Sequence, residues 1–577
     1  MVRKCGYLPL VISLLGGVLK KKNSTEGWEL VNKNINAYLY RGEGIDKEDE
    51  IHGVLSLSYD DLPYYLKLCF LYMGQFREDQ TIYVRTLYRL WIAEGMISHN
   101  RTPRDDETTL MDIAELYLSE LASRSLVQVQ VEDEARDQKY STCRLHDVLR
   151  SLCLEKAKNE DFGLQIIENY QGVNLSTLLG PKTRHLAVHC HDQGEGKPQN
   201  DGCEKYIRSL QFINVTNEKK IEFPCDILDF QKFKLLRVLL IHGCKFKERK
   251  LPKGIANLVL LKYLGLFYCV LDKLPSSISS LTYLYSLDLL GSWNVRVPNV
   301  LDKMHRLKHL VLPYYDKEKI GKYKLRLEGL EELEILYGFN SLVHDLKSVI
   351  RMKNLRRFEA IAHDNGSLLA IIDAIITSWK KLRFCKLVIR QGCQFTTTEE
   401  DLMILKKVYA CPNLHDLRIH VHVGKLIHEC RSEMIGSRVV HLQLMECEIE
   451  EDPMEILGKL PLLEQLFLSN RSIVGDKMKC DAMGFPCLKN LVLKCLPNLR
   501  EWIIEKGAMP VVSEIEISYC SCLEMVPDGL RFTRTLQTLK ICGMSELGRR
   551  VLASSDGGRE GEDFDKVRHV PFITIIG

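Results

Sequence analysis

The sequence predicts a mixed α and α/β chain. A helical fragment and a winged-helix domain are followed by a leucine-rich-repeat solenoid, a horseshoe. Three observations carry this. From Thr183 onward an L-x-x-L-x-L unit recurs about fifteen times. Residues 46–158 combine amphipathic helices with two strand-like runs. An apolar content of 45% in 577 residues supports several folded domains with a large shared core.

Residues 1–45 read as two helices. Pro9 suits the first turn of one that continues through Val11–Leu19. Trp28, Val31, Ile35 and Leu39 recur at helical spacing on the next, and Gly42 and Gly44 end the unit. Residues 46–158 form the second domain. Asp60-Asp61 before Pro63 signals a helix start, and Leu87, Leu90 and Trp91 share a face of a helix that stops at Gly95. Leu110, Ile113, Ala114, Tyr117, Leu118 and Leu121 mark the clearest amphipathic helix. Two strand-like runs flank the charged tip Glu132–Lys139. Such a domain often binds DNA, but its long helix carries Glu107, Asp112, Glu115 and Glu120 against Arg124, which repels a phosphate backbone. An intramolecular packing role is expected instead.

Residues 159–182 read as a connector, residues 183–552 as the repeats and residues 553–577 as a tail. Clear repeat copies include Leu236/Leu239/Ile241, Leu261/Leu264/Leu266 and Leu536/Leu539/Ile541; weaker ones begin near Thr183, Ile207, Leu333, Leu355, Leu382 and Val439. Each short strand directs alternate leucines into a core that only stacking completes. Cys244, Cys269, Cys447 and Cys520 fall at one repeat position and are expected to be buried structural thiols. The twenty cysteines contain no C-x-x-C pair, so zinc or thioredoxin-type chemistry is not expected. Positions flanking the strands, including Lys262, Tyr263, Tyr285, His309, His415, Arg418 and Lys489, form a mixed aromatic and charged face suited to protein recognition.

A net charge of +3 excludes a global basic field for nucleic acid or membranes, and no stretch reaches transmembrane length. The apolar run Tyr7–Leu19 after Arg3-Lys4 mimics a secretion signal, and six Asn-x-Ser/Thr sites would suit it. Pro9 within the run and Lys20-Lys21-Lys22 after it argue against that. The pairs His189/His191 and His420/His422 invite a metal, but no third ligand is near in sequence.

The stretch with most chemical content is Leu145-His146-Asp147-Val148-Leu149-Arg150. Asp147 reads as the N-cap of a helix, with His146 beside its free N–H groups, where a phosphate can be held. The same stretch also reads as a packed histidine beside a capping aspartate.

Several stretches together resemble the plant intracellular immune receptors of the nucleotide-binding, leucine-rich-repeat class. Cys5-Gly6-Tyr7-Leu8-Pro9-Leu10 looks like that family's Gly-Leu-Pro-Leu motif. Tyr59-Asp60-Asp61-Leu62-Pro63, Leu66–Tyr72, Leu90-Trp91-Ile92-Ala93-Glu94-Gly95 and Arg124-Ser125-Leu126 are further matches. Leu145-His146-Asp147 resembles its Met-His-Asp motif, and Leu251-Pro252-Lys253-Gly254-Ile255 the plant repeat pattern.

The resemblance implies that residues 1–45 end the helical subdomain of a nucleotide-binding (NB-ARC) module and that residues 46–158 are its winged helix. It implies that Pro9 lies against the base or sugar of ADP or ATP and that His146 reaches the phosphates. It also implies a non-enzymatic defence role, a pathogen effector or guarded host protein as partner, possible association with other receptor chains, and a cytoplasmic location, at the plasma-membrane periphery or nuclear in some cases. No G-x-x-x-x-G-K-[ST] occurs in the sequence, so the phosphate cradle is missing and hydrolysis by this chain alone is not expected. The chain reads as a truncated receptor. The alternative is a repeat scaffold that binds no nucleotide; a ligase adaptor lacks its expected F-box in residues 1–50.

Overall fold

The computed structural model describes residues 8–22, 24–39, 47–98, 108–131, 139–168, 180–190, 203–216, 220–224, 230–316, 324–393, 395, 398–552 and 561–576. The chain divides into two compact units, residues 1–316 and 317–577.

The first unit opens with three helices, α1 (Pro9–Leu19), α2 (Thr25–Leu39) and α3 (Lys47–Asp60). Pro9 takes the first helical position, where its missing N–H costs nothing. Val11, Leu15, Val18, Val31, Val54 and Leu57 form one apolar core. Val54 and Leu57 belong to α3, which the sequence reading had assigned beyond residue 45. Helix α3 packs with α1 and α2 on this side, while its Tyr59 meets Phe70 of the following helix and donates to Glu160 (2.9 Å). Trp28, expected on the buried face of α2, is 47% exposed, and its indole N–H donates to the Lys22 carbonyl (3.0 Å).

The winged helix follows: α4 (Tyr64–Met73), β1 (Ile82–Tyr83), α5 (Val84–Glu94), α6 (Leu110–Ser123), β2 (Gln128–Gln130), β3 (Thr142–Arg144) and α7 (Asp147–Asn159). Strand β3 is central and antiparallel to both neighbours, with Cys143 opposite Ile82 and Val129. The charged tip between the strands lies mostly outside the described residues. Thr109 and Asp112 make a reciprocal capping box at the start of α6. Met111 joins Ile113, Ala114, Tyr117, Leu118 and Leu121 on the buried face, while Leu110 is only half-buried. At the end of α6 the Arg124 guanidinium holds Asp61 (2.8 Å) and Glu120 (3.2 Å), and Lys22 reaches Asp61 (2.6 Å). Helix α1 comes close enough to this turn that a Cβ on Gly17 would lie 2.7 Å from the Arg124 backbone.

The repeats of the first unit lay down a parallel ladder: β4 (Leu164–Ile167), β5 (His185–Cys190), β6 (Ser209–Asn214), β8 (Val238–His242), β10 (Tyr263–Phe267), β11 (Ser286–Asp288) and β12 (His309–Val311). The short pair β7 (Ile221–Glu222) and β9 (Cys244–Lys245) is also parallel. The repeat leucines are fully enclosed. Leu-Pro-x-x-Ile becomes a 3₁₀ turn in which Pro252 or Pro275 stands before the first residue and Ile255 or Ile278 turns inward. Strand β4 lies in the segment read as a connector. Its Leu164–Ile167 pairs with His185–Val188, because the first repeat strand would otherwise leave a row of backbone groups unpaired.

In the second unit ten parallel strands form the main ladder, from Ile335–Asn340 to Phe572–Ile576, and Lys477–Cys480 pairs in parallel with Glu501–Ile504. Helices Asn365–Thr377 and Glu399–Tyr409 occupy two of its returns, capped by Asp364 and Thr398. The final strand falls in the segment read as a tail. It pairs with Thr538–Cys542, so the ladder continues past residue 552. All fifteen repeat copies become strands, and each end adds one more. Among the described residues no helix is long and apolar enough to cross a membrane.

Candidate functional site: the seat of the winged helix on the first repeats

Helix α5 ends in Leu90-Trp91-Ile92-Ala93-Glu94-Gly95. Trp91 is enclosed, and Gly95 adopts the left-handed conformation (φ 84°) that closes the helix. The helix lies against β8 and β10. Arg89 projects from it to Asp288 on β11 at 2.5 Å; the two side chains are only 3% and 2% exposed. Burial raises the Asp288 carboxyl above its ordinary range, while Arg89 and the Leu290 N–H oppose that shift. From α4, Tyr72 shares a hydrogen bond with Ser209 (3.0 Å) and meets the His185 ring edge-on.

Glu94 sits at the negative end of α5. The Arg237 guanidinium donates to its carbonyl (3.2 Å). Burial lifts the Glu94 side chain to about 7, against the opposing charges of Arg237, Arg208 and Lys262. His185 is lowered to about 3 by burial and by the fields of Arg208, Arg184 and Arg237, so it stays neutral. The strand faces under the winged helix are therefore occupied: Tyr263, expected on an open recognition face, is buried there. His309 is also buried, with Nδ1 sharing a hydrogen bond with Ser286 (2.9 Å). In the second unit the expected face residues are paired with neighbours. Arg418 holds Asp416 through two nitrogens (3.0 and 3.1 Å), Lys489 meets Glu464 (3.3 Å), and His415 bonds the Asn413 carbonyl (2.8 Å).

The two residues expected at a nucleotide lie on different elements. Pro9 is exposed at the first position of α1. His146, not Asp147, is the N-cap of α7. Its Nδ1 accepts from the Val148 N–H (3.4 Å) and also faces the Asp147 carboxylate, which accepts from the same N–H (2.7 Å). A histidine in the capping position satisfies the helix start by itself, and the aspartate moves one place into the first turn. The His146 side chain remains 39% exposed; with Nδ1 accepting, its donor hydrogen is on Nε2. This arrangement offers an anion one N–H, but the Asp147 carboxylate occupies the first-turn donor. Pro9 and His146 thus stand on separate helices, α1 and α7.

Other sequence candidates resolve as follows. Cys244, Cys269, Cys447 and Cys520 are buried, and the Cys269 thiol spans the Ile241 (3.5 Å) and Phe267 (3.4 Å) carbonyls. Burial pushes Cys269 and Cys447 up to about 12, so these thiols stay protonated. His420 and His422 lie beyond the strand that ends at Ile419 and do not share a face; one is buried and the other exposed. His191 lies outside the described residues. Among the described residues no group of three His, Cys, Asp or Glu side chains is placed to hold a metal. Asn214 of one Asn-x-Thr site is buried with its amide on the Gly243 carbonyl (2.9 Å), so a glycan there would break the repeat. Sequence reasoning missed Arg89, Asp288 and the Arg237 contact, because residues about 200 positions apart carry no local signal.

Comparison with known proteins agrees with this layout. Residues 207–549 match the family model "Leucine-rich repeat region", and residues 76–153 match "Disease resistance protein Winged helix domain". Disease resistance RPP8-like protein 3 of Arabidopsis thaliana is 33% identical over 100% of this chain and 60% of its own length. Probable disease resistance protein RXW24L of the same plant is 35% identical over 99% of this chain and 60% of its own length. The chain thus spans about 60% of the length of these relatives. Among solved structures, a leucine-rich-repeat protein of Leptospira interrogans covers 72% of this chain, at 18% identity and a TM-score of 0.42, and all of that chain is aligned.

Proposed function

Because the chain belongs to the plant disease resistance proteins that join a winged helix to leucine-rich repeats, we propose that it is the sensing and latching part of an intracellular immune receptor. The repeats recognise a pathogen effector or a host protein that effectors alter. The winged helix, seated on the first repeats, holds the receptor at rest. One observation carries this reading: the buried Arg89–Asp288 pair joins α5 to β11. Breaking such a pair leaves an uncompensated charge, which costs about 3–5 kcal/mol. A seat of this kind has two discrete states, which a latch requires.

Pro9 and His146 are proposed as this chain's share of one wall of an ADP or ATP site in the cytoplasm. A His146 N–H to a phosphate is worth about 1.5–3 kcal/mol. That would shift a two-state equilibrium roughly ten- to a hundredfold. The rest of such a site needs phosphate-cradling residues that this sequence does not supply.

The second reading is a repeat scaffold that holds no nucleotide, and the Asp147 carboxylate beside His146 favours it. Two measurements separate these readings. In this chain joined to the phosphate-loop half of an Arabidopsis relative, His146→Ala weakens ADP binding at least tenfold under the switch reading. Unchanged ADP affinity leaves the scaffold. Separately, Arg89→Met increases hydrogen exchange across α5 and β8–β11; an unaltered exchange pattern dismisses the latch.

A further inference from the structure

In the first unit, the residue just before each strand forms its own ladder. The Arg208 N–H donates to the Arg184 carbonyl (2.7 Å), Arg237 to Arg208 (2.7 Å), Lys262 to Arg237 (2.8 Å), Tyr285 to Lys262 (2.8 Å) and Lys308 to Tyr285 (2.9 Å). Five of these six positions carry Arg or Lys. Neighbouring parallel strands stand about 4.8 Å apart, so Arg184 to Lys262 line up within roughly 14 Å. Arg184 is exposed, and Arg208, Arg237 and Lys262 are half-buried.

The row is under electrostatic strain. Burial, then Arg237 and Arg184, hold Arg208 below its ordinary range; burial and Arg237 do the same to Lys262. The Glu94 carboxylate opposes this at Arg237, Arg208 and Lys262, one acid against three cations. No carboxylate lies within ion-pair distance of Arg184, Arg208 or Lys262 among the described residues. The second unit pairs such charges, as in Lys386–Glu359 (3.6 Å), Lys489–Glu464 (3.3 Å) and Lys540–Glu514. Arg237 already donates one N–H to the Glu94 carbonyl, but like charges gathered at this spacing are costly unless an external anion neutralises them.

We propose that Arg184, Arg208, Arg237 and Lys262 form a binding site for a compact small molecule bearing several phosphates, seated beside the end of α5. A linear or ring-borne set of phosphates matches the close spacing of the row, and each guanidinium can engage two oxygens. The site is separate from Pro9 and His146. Filling it would relieve the repulsion among the four cations.

The test uses the whole chain and inorganic tripolyphosphate at 0.15 M salt, roughly the physiological ionic strength, with orthophosphate and a short polyglutamate as comparators. Calorimetry should show saturable binding of tripolyphosphate, at least tenfold tighter than either comparator. Arg208→Gln and Lys262→Gln should each weaken it about tenfold or more. Both variants remove a like charge, so their melting midpoints should equal or exceed the parent's. Hydrogen exchange on the unmodified chain gives an independent reading, with added protection at β6, β8 and β10. No saturable binding, equal binding by both variants, or tighter binding of polyglutamate would overturn the proposal. The last outcome would mark the row as a peptide-docking surface.

Discussion

Arg89→Met removes one partner of the buried pair while keeping the length of the side chain. Asp288 then keeps only the Leu290 N–H (3.2 Å) in a site that is 2% exposed. Its carboxyl is already above its ordinary range with Arg89 present; without Arg89 it rises further. A carboxyl raised in the folded state binds more protons than in the unfolded chain. Its contribution is therefore complete below the unfolded value near 3.9 and is lost as pH rises toward the folded value. Each pH unit in that window costs about 1.4 kcal/mol. The loss accumulated by pH 7 is at most about 4 kcal/mol, against about 1.5 kcal/mol at pH 5. This limit agrees with the roughly 3–5 kcal/mol expected for orphaning a buried ion. Urea unfolding followed by the fluorescence of Trp91, on the same helix, reads the difference at pH 5, 6 and 7. Adding Asp288→Leu should recover most of the loss and abolish its pH dependence. A penalty for Arg89→Met that is flat across pH, or a double variant no more stable than the single one, would refute the reasoning.

Three further outcomes follow from the same geometry. Glu94, raised to about 7 by burial, contributes stability that is complete below about pH 4.5 and lost as pH rises through 7. Glu94→Gln should therefore match the parent at pH 4.5 and exceed it by about 3 kcal/mol at pH 8, in chemical unfolding of the two chains side by side. Gly17→Ala places a methyl 2.7 Å from the Arg124 backbone; it should cost about 1–3 kcal/mol, read as a lowered melting midpoint. Cys269 and Cys447, protonated and enclosed, should resist iodoacetamide in the native chain and react only after unfolding, as peptide mass mapping would show.

Much of the architecture was legible because its signals are periodic. Every L-x-x-L-x-L copy became a strand, and each such residue reports its own burial through spacing alone. The two added strands were hidden for the opposite reason. Leu164-Gln165-Ile166-Ile167 and Phe572-Ile573-Thr574-Ile575-Ile576 pair with the ladder but lack the flanking leucine that sets the repeat's phase. Gly42 and Gly44 mark a boundary in the sequence, whereas Val54 and Leu57 of α3 pack with Val11, Leu15, Val18 and Val31, contacts that no local spacing signals. His146 was located correctly at the helix start, but its capping role went to Asp147 because propensity ranks aspartate above histidine. Backbone geometry decided otherwise: His146 is extended, at φ −66° and ψ 145°, and Asp147 is already helical.

The seat itself shows why a family motif can be read before its purpose is known. Leu90-Trp91-Ile92-Ala93-Glu94-Gly95 looked like an ordinary amphipathic helix end. Trp91 supplies apolar burial, as any core helix would. Arg89 and Glu94 instead face charges on strands contributed by residues 184–288. An apolar contact of the same size would hold more tightly, since buried ion pairs are often matched or exceeded by packed hydrophobic residues. What an ionic seat adds is register and a sharp failure. Arg237 meets one helix end, and Arg89 fits one aspartate, so that moving Arg89 leaves charge buried without a partner. A joint with these properties resists small displacements and yields all at once.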